Sequence, residues 1–394
     1  EAAGVLTSAT ISSRDQFELY EAGVNALVLR HVRAAVPSSP SESWSPLAVT
    51  APQLRLVALS CRNPRALEAT KHLAMKHNVY ECLAALVGLD APPAGQSERD
   101  LQLAHAAASS LVAALACSDG ATAPRLAAIA SQLADALVLR LASTSIDVRA
   151  AAATAIANLT AASTFRAQLI ASGAPAALLA LCADACSARA SAAGRALGEL
   201  VLPNALAALH NCSMSATVAA ELSSAEVARM LVPLIVDVDV SRLLIRRAAA
   251  MVAKASARST EAAAVLLELG AIPVVCKLLA AEVGAKDVDE GAPCAEDDAA
   301  DEALAEAFEA AGGGGLLGSC VRILAAATRN EESSRAVCDA GGLPSLVAVL
   351  RTPAHSPSHG NAALAVAECS RDPKSLAVLA VLPIVPPLLD MANR

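Results

Sequence analysis

Large rings are almost missing from this chain. Three Phe, two Tyr and one Trp are the only aromatic residues among 394. A core of this size must then be filled by Ala, Leu and Val meeting at short range, which suits closely packed helices. β-Branched runs are scarce too, so the expectation is an all-α protein. The shortage of rings also argues against nucleic acid, because single strands are held on stacking aromatics beside a concentrated basic surface.

Long hydrophobic spans are lacking as well, although mean hydropathy is positive. The longest uncharged run, LQLAHAAASSLVAALACS (101–118), contains Gln102, His105 and several serines. The run SLAVLAVLPIVPPLL (375–389) is short and carries Pro383, Pro386 and Pro387. A spanning helix needs about 20 strongly apolar residues, so no membrane segment is expected. No secretory signal opens the chain. It starts at Glu1 rather than Met, which points to a fragment truncated at both ends.

The eleven cysteines form no paired framework. Cys82, Cys117, Cys212, Cys276 and Cys369 stand in apolar helical contexts, where a free thiol acts as a small hydrophobe. A reducing, cytoplasmic location is the expectation. Cys182 and Cys186 have helical spacing in CADAC, as do His355 and His359 in the Pro/Ser loop HSPSH, but nothing completes a metal set around either. GGGG (312–315) lacks the Lys-Ser/Thr continuation of a phosphate loop, and no Ser or Cys nucleophile motif is present. These absences give a protein with no catalytic residue, no metal and no cofactor.

What the chain does contain is repetition. Four stretches show a helix end, a short break, then Gly or Pro before a Leu/Val-rich helix: IASGAPAALLALC (170–182), LELGAIPVVCKLLA (267–280), CDAGGLPSLVAVL (338–350) and LAVLPIVPPLLDM (379–391). YEAGVNALVLRHV (20–32) is a weaker copy. Glycine supplies the left-handed cap and proline restarts the chain. Between these marks lie alanine-rich helices: DVRAAAATAIANLT (147–160), LPNALAALHNCS (202–213), RRAAAMVAKAS (246–256) and GNAALAVAECS (360–370). In the first of them Val148, Ala152, Ala155, Ile156 and Leu159 make one apolar face, while Asp147, Thr154 and Asn158 share another. A unit of roughly 40–50 residues with this rhythm is the armadillo version of the helical repeat. The expected fold is an armadillo-type α-solenoid, a right-handed superhelix of about seven to eight repeats over residues 1–394. Units fall near 21–77, 78–131, 132–172, 173–223, 224–269, 270–340 and 341–380, after a partial unit ending near Tyr20 and before a half-unit from Val381 that lacks its inner helix.

Two insertions interrupt the rhythm: a Pro/Ser-rich loop at 37–53 and an acidic, Gly-rich stretch at 286–315. Residues 287–309 hold ten acidic residues and no basic one; adding 10 to the formal charge of −8 leaves the rest of the chain near +2. The acidic run reads either as a solvated helix or tether, or as a segment that folds into the solenoid's own groove.

Candidate binding residues follow from the repeat. Armadillo proteins such as the nuclear-import adaptors and catenins repeat an inner-helix Asn that grips the backbone of an extended peptide, since an amide both donates and accepts. Here only Asn158 and Asn211 stand at that position. Other units place Glu199, Lys254 or Ala255, Ala327 and Glu368 nearby, and the only Trp is Trp44 in a loop. Asn158 reads equally as a local cap. SRLLIRRAAAMVAKASAR (241–258) adds Arg242, Arg246, Arg247, Lys254 and Arg258, a basic strip that is either solvated or suited to acidic peptides.

The stretches SSRDQFELYEAGVNALV (12–28), LRLVALSCRNPRALEATKHLAMKHNVYECLAALVG (54–88) and GNAALAVAECSRDPKSLAVLAVLPIVPPLL (360–389) resemble the armadillo half of the tetratricopeptide repeat protein twelve family. ALAALHNCSMSATVAAELSSAEVARML is similar in position and rhythm. That resemblance implies a non-enzymatic scaffold for cytoplasmic preassembly of axonemal dynein arms in cilia, holding dynein subunits or chaperones beside a tetratricopeptide domain. The alternative is an importin-like transport adaptor for extended peptides. No nucleic acid or membrane partner is expected.

Overall fold

The computed structural model describes residue 21 and residues 23–37, 44–116, 129–284 and 315–392. Among the described residues the regular structure is helical throughout, with no strand. The chain divides after Cys212 into two compact units. The acidic run 287–309, the first twenty residues and most of the Pro/Ser stretch before Trp44 lie outside the described residues.

The first unit contains α1 (Val24–Ala35), α2 (Leu47–Ser60), α3 (Pro64–Lys76), α4 (Val79–Val87), α5 (Glu98–Ala116), α6 (Ala130–Arg140), α7 (Ile146–Ala161), α8 (Ser163–Ala171), α9 (Ala174–Ala188) and α10 (Ala192–Cys212). They form two rows. α2, α5, α7 and α10 pack each on the next, and α1, α4, α6 and α9 make a second row against them. α3 and the shorter α8 bridge one repeat to the following one.

The second unit repeats the plan with α11 (Ala216–Glu221), α12 (Ala225–Val236), α13 (Arg242–Arg258), α14 (Thr260–Glu268), α15 (Ile272–Gly284), α16 (Gly315–Ala327), α17 (Glu331–Asp339), α18 (Gly342–Arg351), α19 (His359–Cys369), α20 (Pro373–Ala380) and α21 (Val385–Ala392). Its first row is α13, α16 and α19, and its second is α12, α15, α18 and α21. A short helix, a second-row helix and a first-row helix in that order make the armadillo-type unit, and each row buries its apolar face only against its neighbours.

Alanine explains the spacing of the first row. In α7, Ala152, Ala153, Ala155 and Ala157 are buried together with Val148, Ile156, Leu159 and Thr160. A helix covered on several sides by other helices cannot afford bulk on each of them, and methyl side chains let backbones approach. α13 shows the same pattern, with Ala248, Ala249, Ala250, Ala253 and Ala255 buried around Leu244, Met251 and Val252.

The second-row helices start from a recurring left-handed residue. Gly23, Gly173 and Gly341 hold φ of 74°, 81° and 72° at the N-caps of α1, α9 and α18, and Gly270 has φ 63° just before α15. Three of the four strong Gly/Pro marks, and the weaker one at Gly23, thus share one backbone device. Asn78 (φ 52°) takes the same place before α4, the one positive-φ non-glycine residue among those described. Asparagine tolerates this region better than other side chains. The short bridging helices have their own signal: Asn63, Ser259, Asn330 and Asp372 cap α3, α14, α17 and α20 through side-chain oxygens, supplying acceptors to otherwise unpaired backbone N–H groups.

Two local expectations change. The Pro/Ser stretch is helical from Leu47, not a loop to residue 53. Leu47, Ala51 and Leu54 are buried at helical spacing, and the Gln96 side chain secures the helix start by accepting from Leu47 N at 2.6 Å. HSPSH is ordered rather than looped. Pro353–Ser358 form a 3₁₀ turn, His359 begins α19, and both histidines are buried. No single described helix is long and apolar enough to cross a membrane.

Because Ala155 is wholly buried within the first row, enlarging it forces the helices apart. Ala155→Leu is expected to destabilise the protein by about 1–3 kcal/mol, the usual penalty of overpacking. Chemical denaturation monitored by far-UV circular dichroism checks this. An unchanged midpoint would mean that the row is not packed as described.

Candidate functional site

Within the first unit, polar side chains gather on the face shared by α7 and α10. Thr154 and Asn158 stand one turn apart on α7, and both are half-buried. Asn158 Nδ2 donates to the Ala113 carbonyl of α5 at 2.9 Å. Asn211 on α10 donates its Nδ2 to the Ala157 carbonyl and to Thr160 Oγ1, each at 3.3 Å. Asn204, two turns earlier on α10, donates to Thr154 Oγ1 at 2.8 Å. The amides therefore act first as ties between successive first-row helices. Their N–H groups satisfy neighbouring oxygens at places where methyl-lined helices offer few other polar contacts.

The same geometry leaves acceptors outward. The Oδ1 atoms of Asn204 and Asn211 take no hydrogen bond among the described residues. Leu200, one turn before Asn204 on the same face of α10, is 56% exposed, and Leu103 on α5 is also exposed. Asn204 and Leu200 were not singled out from sequence. Their signal was the i, i+4, i+11 relation to Asn211, which was visible only once α10 was known to run unbroken through Pro203.

The basic residues of α13, in the second unit, do not form one strip. Arg242 is exposed and pairs with Glu282 of α15. Arg258, the last residue of α13, is exposed. Arg246 and Lys254 are half-buried, and Lys254 Nζ donates to Ser213 Oγ at 2.7 Å. Arg247 is only 3% exposed. With Ala248, Ala249, Ala250 and Met251 all buried after it, this part of α13 has little free face, and Arg247 is buried out to its guanidinium atoms Nε and Nη1. Helical spacing put the five cations near one another, and packing divides them into exposed, tied and buried groups.

No group of three or more His, Cys, Asp or Glu side chains suited to a metal ion occurs among the described residues. Cys182 is fully buried, and burial pushes the thiol of its neighbour Cys186 up to about 11. His359 Nε2 lies 3.0 Å from the Thr352 carbonyl, closing the turn into α19.

The first unit holds two further buried histidines, His105 and His210. His105 of α5 is 2% exposed. Its Nε2 lies 3.0 Å from the Leu89 carbonyl and its Nδ1 3.3 Å from Arg140 Nη1, while Arg140 Nη2 donates to Asp90 at 3.2 Å. A neutral ring protonated at Nε2 fits both contacts, because Arg140 can only donate. Burial, with the Arg140 charge second, pushes His105 down from 6.5 to about 4.

No protein-family model and no curated protein matches the chain. Similar solved structures include a designed armadillo repeat protein at 23% identity, covering 73% of this chain and 99% of that one with a TM-score of 0.46. Computationally designed armadillo repeat proteins for modular peptide recognition give the same values. An engineered protein at 17% identity covers 94% of both chains with a TM-score of 0.48.

Removing the Asn211 amide in Asn211→Ala should lower stability by about 1 kcal/mol, the net worth of an inter-helix hydrogen bond. Urea midpoints of the two proteins test this, and equal midpoints would remove the tie. His105 gives a pH signature. Its folded value is depressed, so the unfolded chain takes up the proton first as pH falls below 6.5. Stability should drop between pH 6.5 and pH 4 by an amount on the order of 2–3 kcal/mol, and His105→Asn should flatten that part of the stability-against-pH curve.

Proposed function

We propose that the chain is a non-enzymatic scaffold that holds protein partners on the first-row surface of its first unit. The observation that carries this is the outward pair of amide acceptors, Asn204 and Asn211, beside exposed Leu200. Acceptors of this kind take peptide N–H groups, and an exposed leucine takes an apolar side chain. Asn158, one repeat earlier on α7, supports this surface from behind, with its Nδ2 tied to the Ala113 carbonyl and its Oδ1 buried. In the second unit, exposed Arg242 and Arg258 offer the charge for an acidic segment of a partner, with Arg246 and Lys254 on the half-buried shoulder, while Arg247 is buried and takes no part.

The resemblance to the tetratricopeptide repeat protein twelve family supports a narrower version: a cytoplasmic cofactor in dynein-arm preassembly, with dynein subunits or chaperones as partners. The scarcity of repeated Asn positions weighs against a transport adaptor that reads basic signal peptides.

Affinity purification from ciliated cells with mass spectrometry tests both levels. Leu200→Asp with Asn204→Ala should lose the bound proteins while keeping the helical circular dichroism spectrum, because both changes are at partly or fully exposed positions. An identical set of bound proteins in the variant would overturn the surface. Import receptors and basic cargo in place of dynein chains or chaperones would overturn the narrower version.

A further inference from the structure

Hydrogen bonds between the first-row helices of the first unit fix which positions stand level. Asn211 of α10 donates to the Ala157 carbonyl of α7, and Asn158 of α7 donates to the Ala113 carbonyl of α5. Each amide reaches the residue just before its counterpart, so Asn211, Asn158 and Ala114 correspond on three successive helices. Eleven residues are close to three whole turns, so a residue eleven places earlier shares the same face. Counting back from these three gives Leu200, Asp147 and Leu103. Leu200 and Leu103 are 56% and 43% exposed, and Asp147 is exposed as well. Seven places back, about two turns, stand Asn204, Ala151 and Ala107, so methyl groups and one amide floor the space between the two levels.

The middle position of the outer level is charged, and that charge is unused. The other carboxylates of these three helices are engaged. Asp100 accepts from Ser97 Oγ at 2.6 Å, Glu98 accepts from Gln102 Nε2 at 3.4 Å, and Glu199 pairs with Arg189 at 3.7 Å. Asp147 takes no hydrogen bond and no ion pair among the described residues. Its place in the first turn of α7 suits the positive end of that helix. That role leaves its oxygens open to a cation. Exposed Arg99 lies one turn before Leu103 on the same face of α5, so a run of several basic residues would meet like charge there.

Resting on the scaffold reading above, we infer that this face selects an extended segment of a partner in which a single Lys or Arg lies between two aliphatic side chains. The cation pairs with Asp147, and the aliphatic groups cover Leu103 and Leu200. The open Oδ1 atoms of Asn204 and Asn211 accept from the segment's backbone N–H groups. Neighbouring packed helices stand about 8–10 Å apart. An extended chain rises about 3.3 Å per residue, so side chains two or three residues apart meet successive helices. Small residues on the floor let the segment's backbone lie close. The pattern differs from a basic signal, which would carry several cations and meet Arg99.

The test selects peptides from a random display library on the whole chain, with the Leu200→Asp, Asn204→Ala double variant as counter-selection. Recovered sequences should carry one Lys or Arg with Leu, Ile, Val or Met on both sides. Binding of a recovered peptide is then measured by fluorescence anisotropy. Replacing its cation by alanine should weaken binding about two- to fivefold, the worth of an exposed ion pair. Asp147→Ala, at an exposed position that should fold normally, should remove that difference, because the two changes delete the same interaction. Counter-selected peptides without a cation, or the same loss on Asp147→Ala as on the wild type, would overturn the inference and leave the scaffold reading standing. Failure to recover any peptide that distinguishes the wild type from the double variant would overturn the inference together with the peptide-binding surface.

Discussion

Close approach between alanine-lined helices is the constraint on which the other features depend. In α7 and α13 so many positions face a neighbour that bulky side chains have few places to go. Dispersion between well-fitted small groups replaces the large buried areas that aromatic rings supply in other cores. Each row is stable only through the helices on either side of it. The bridging helices, four of them with Asn, Ser or Asp caps, set the direction in which the next repeat starts.

That constraint shapes the polar groups as well. Where backbones come close and side chains are methyls, an amide can reach a carbonyl or hydroxyl of the next helix. Asn158, Asn204 and Asn211 do so in the first unit, and each spans about one repeat in sequence. Asn204 and Asn211 can both hold the rows in register and present acceptors to a partner, because an amide carries its donor and its acceptor on separate atoms, whereas the Oδ1 of Asn158 is buried. In the second unit the corresponding work at Lys254 is done by an ammonium and a serine hydroxyl. A long flexible cation bonds less selectively than an amide, which fits a unit whose exposed chemistry is charge.

Buried cysteines act as small apolar side chains in both units, and burial keeps their thiols neutral. Cys182 and Cys186 share one helix of the first unit and remain neutral through burial. In the second unit Cys276, Cys320 and Cys369 are buried and Cys338 is partly exposed, each on a different helix.

The helical class, the size of the repeat and the left-handed glycines before the second-row helices could be read from the sequence, since they rest on local propensity, on a 3.6-residue apolar period and on backbone sterics. Asn158 and Asn211 were legible as a repeated inner-helix position for the same reason. The start of α2 and the ordered HSPSH turn were not, because Pro- and Ser-rich segments read as loops until a tertiary partner, such as Gln96 at Leu47, satisfies their backbone. Which of the five α13 cations would face water also lay beyond the sequence. Periodicity gives the angle of a side chain around its helix, but only the neighbouring helices decide whether that angle meets solvent or core. For Arg247 it is core, for Arg242 and Arg258 it is water, and the difference arises from packing alone.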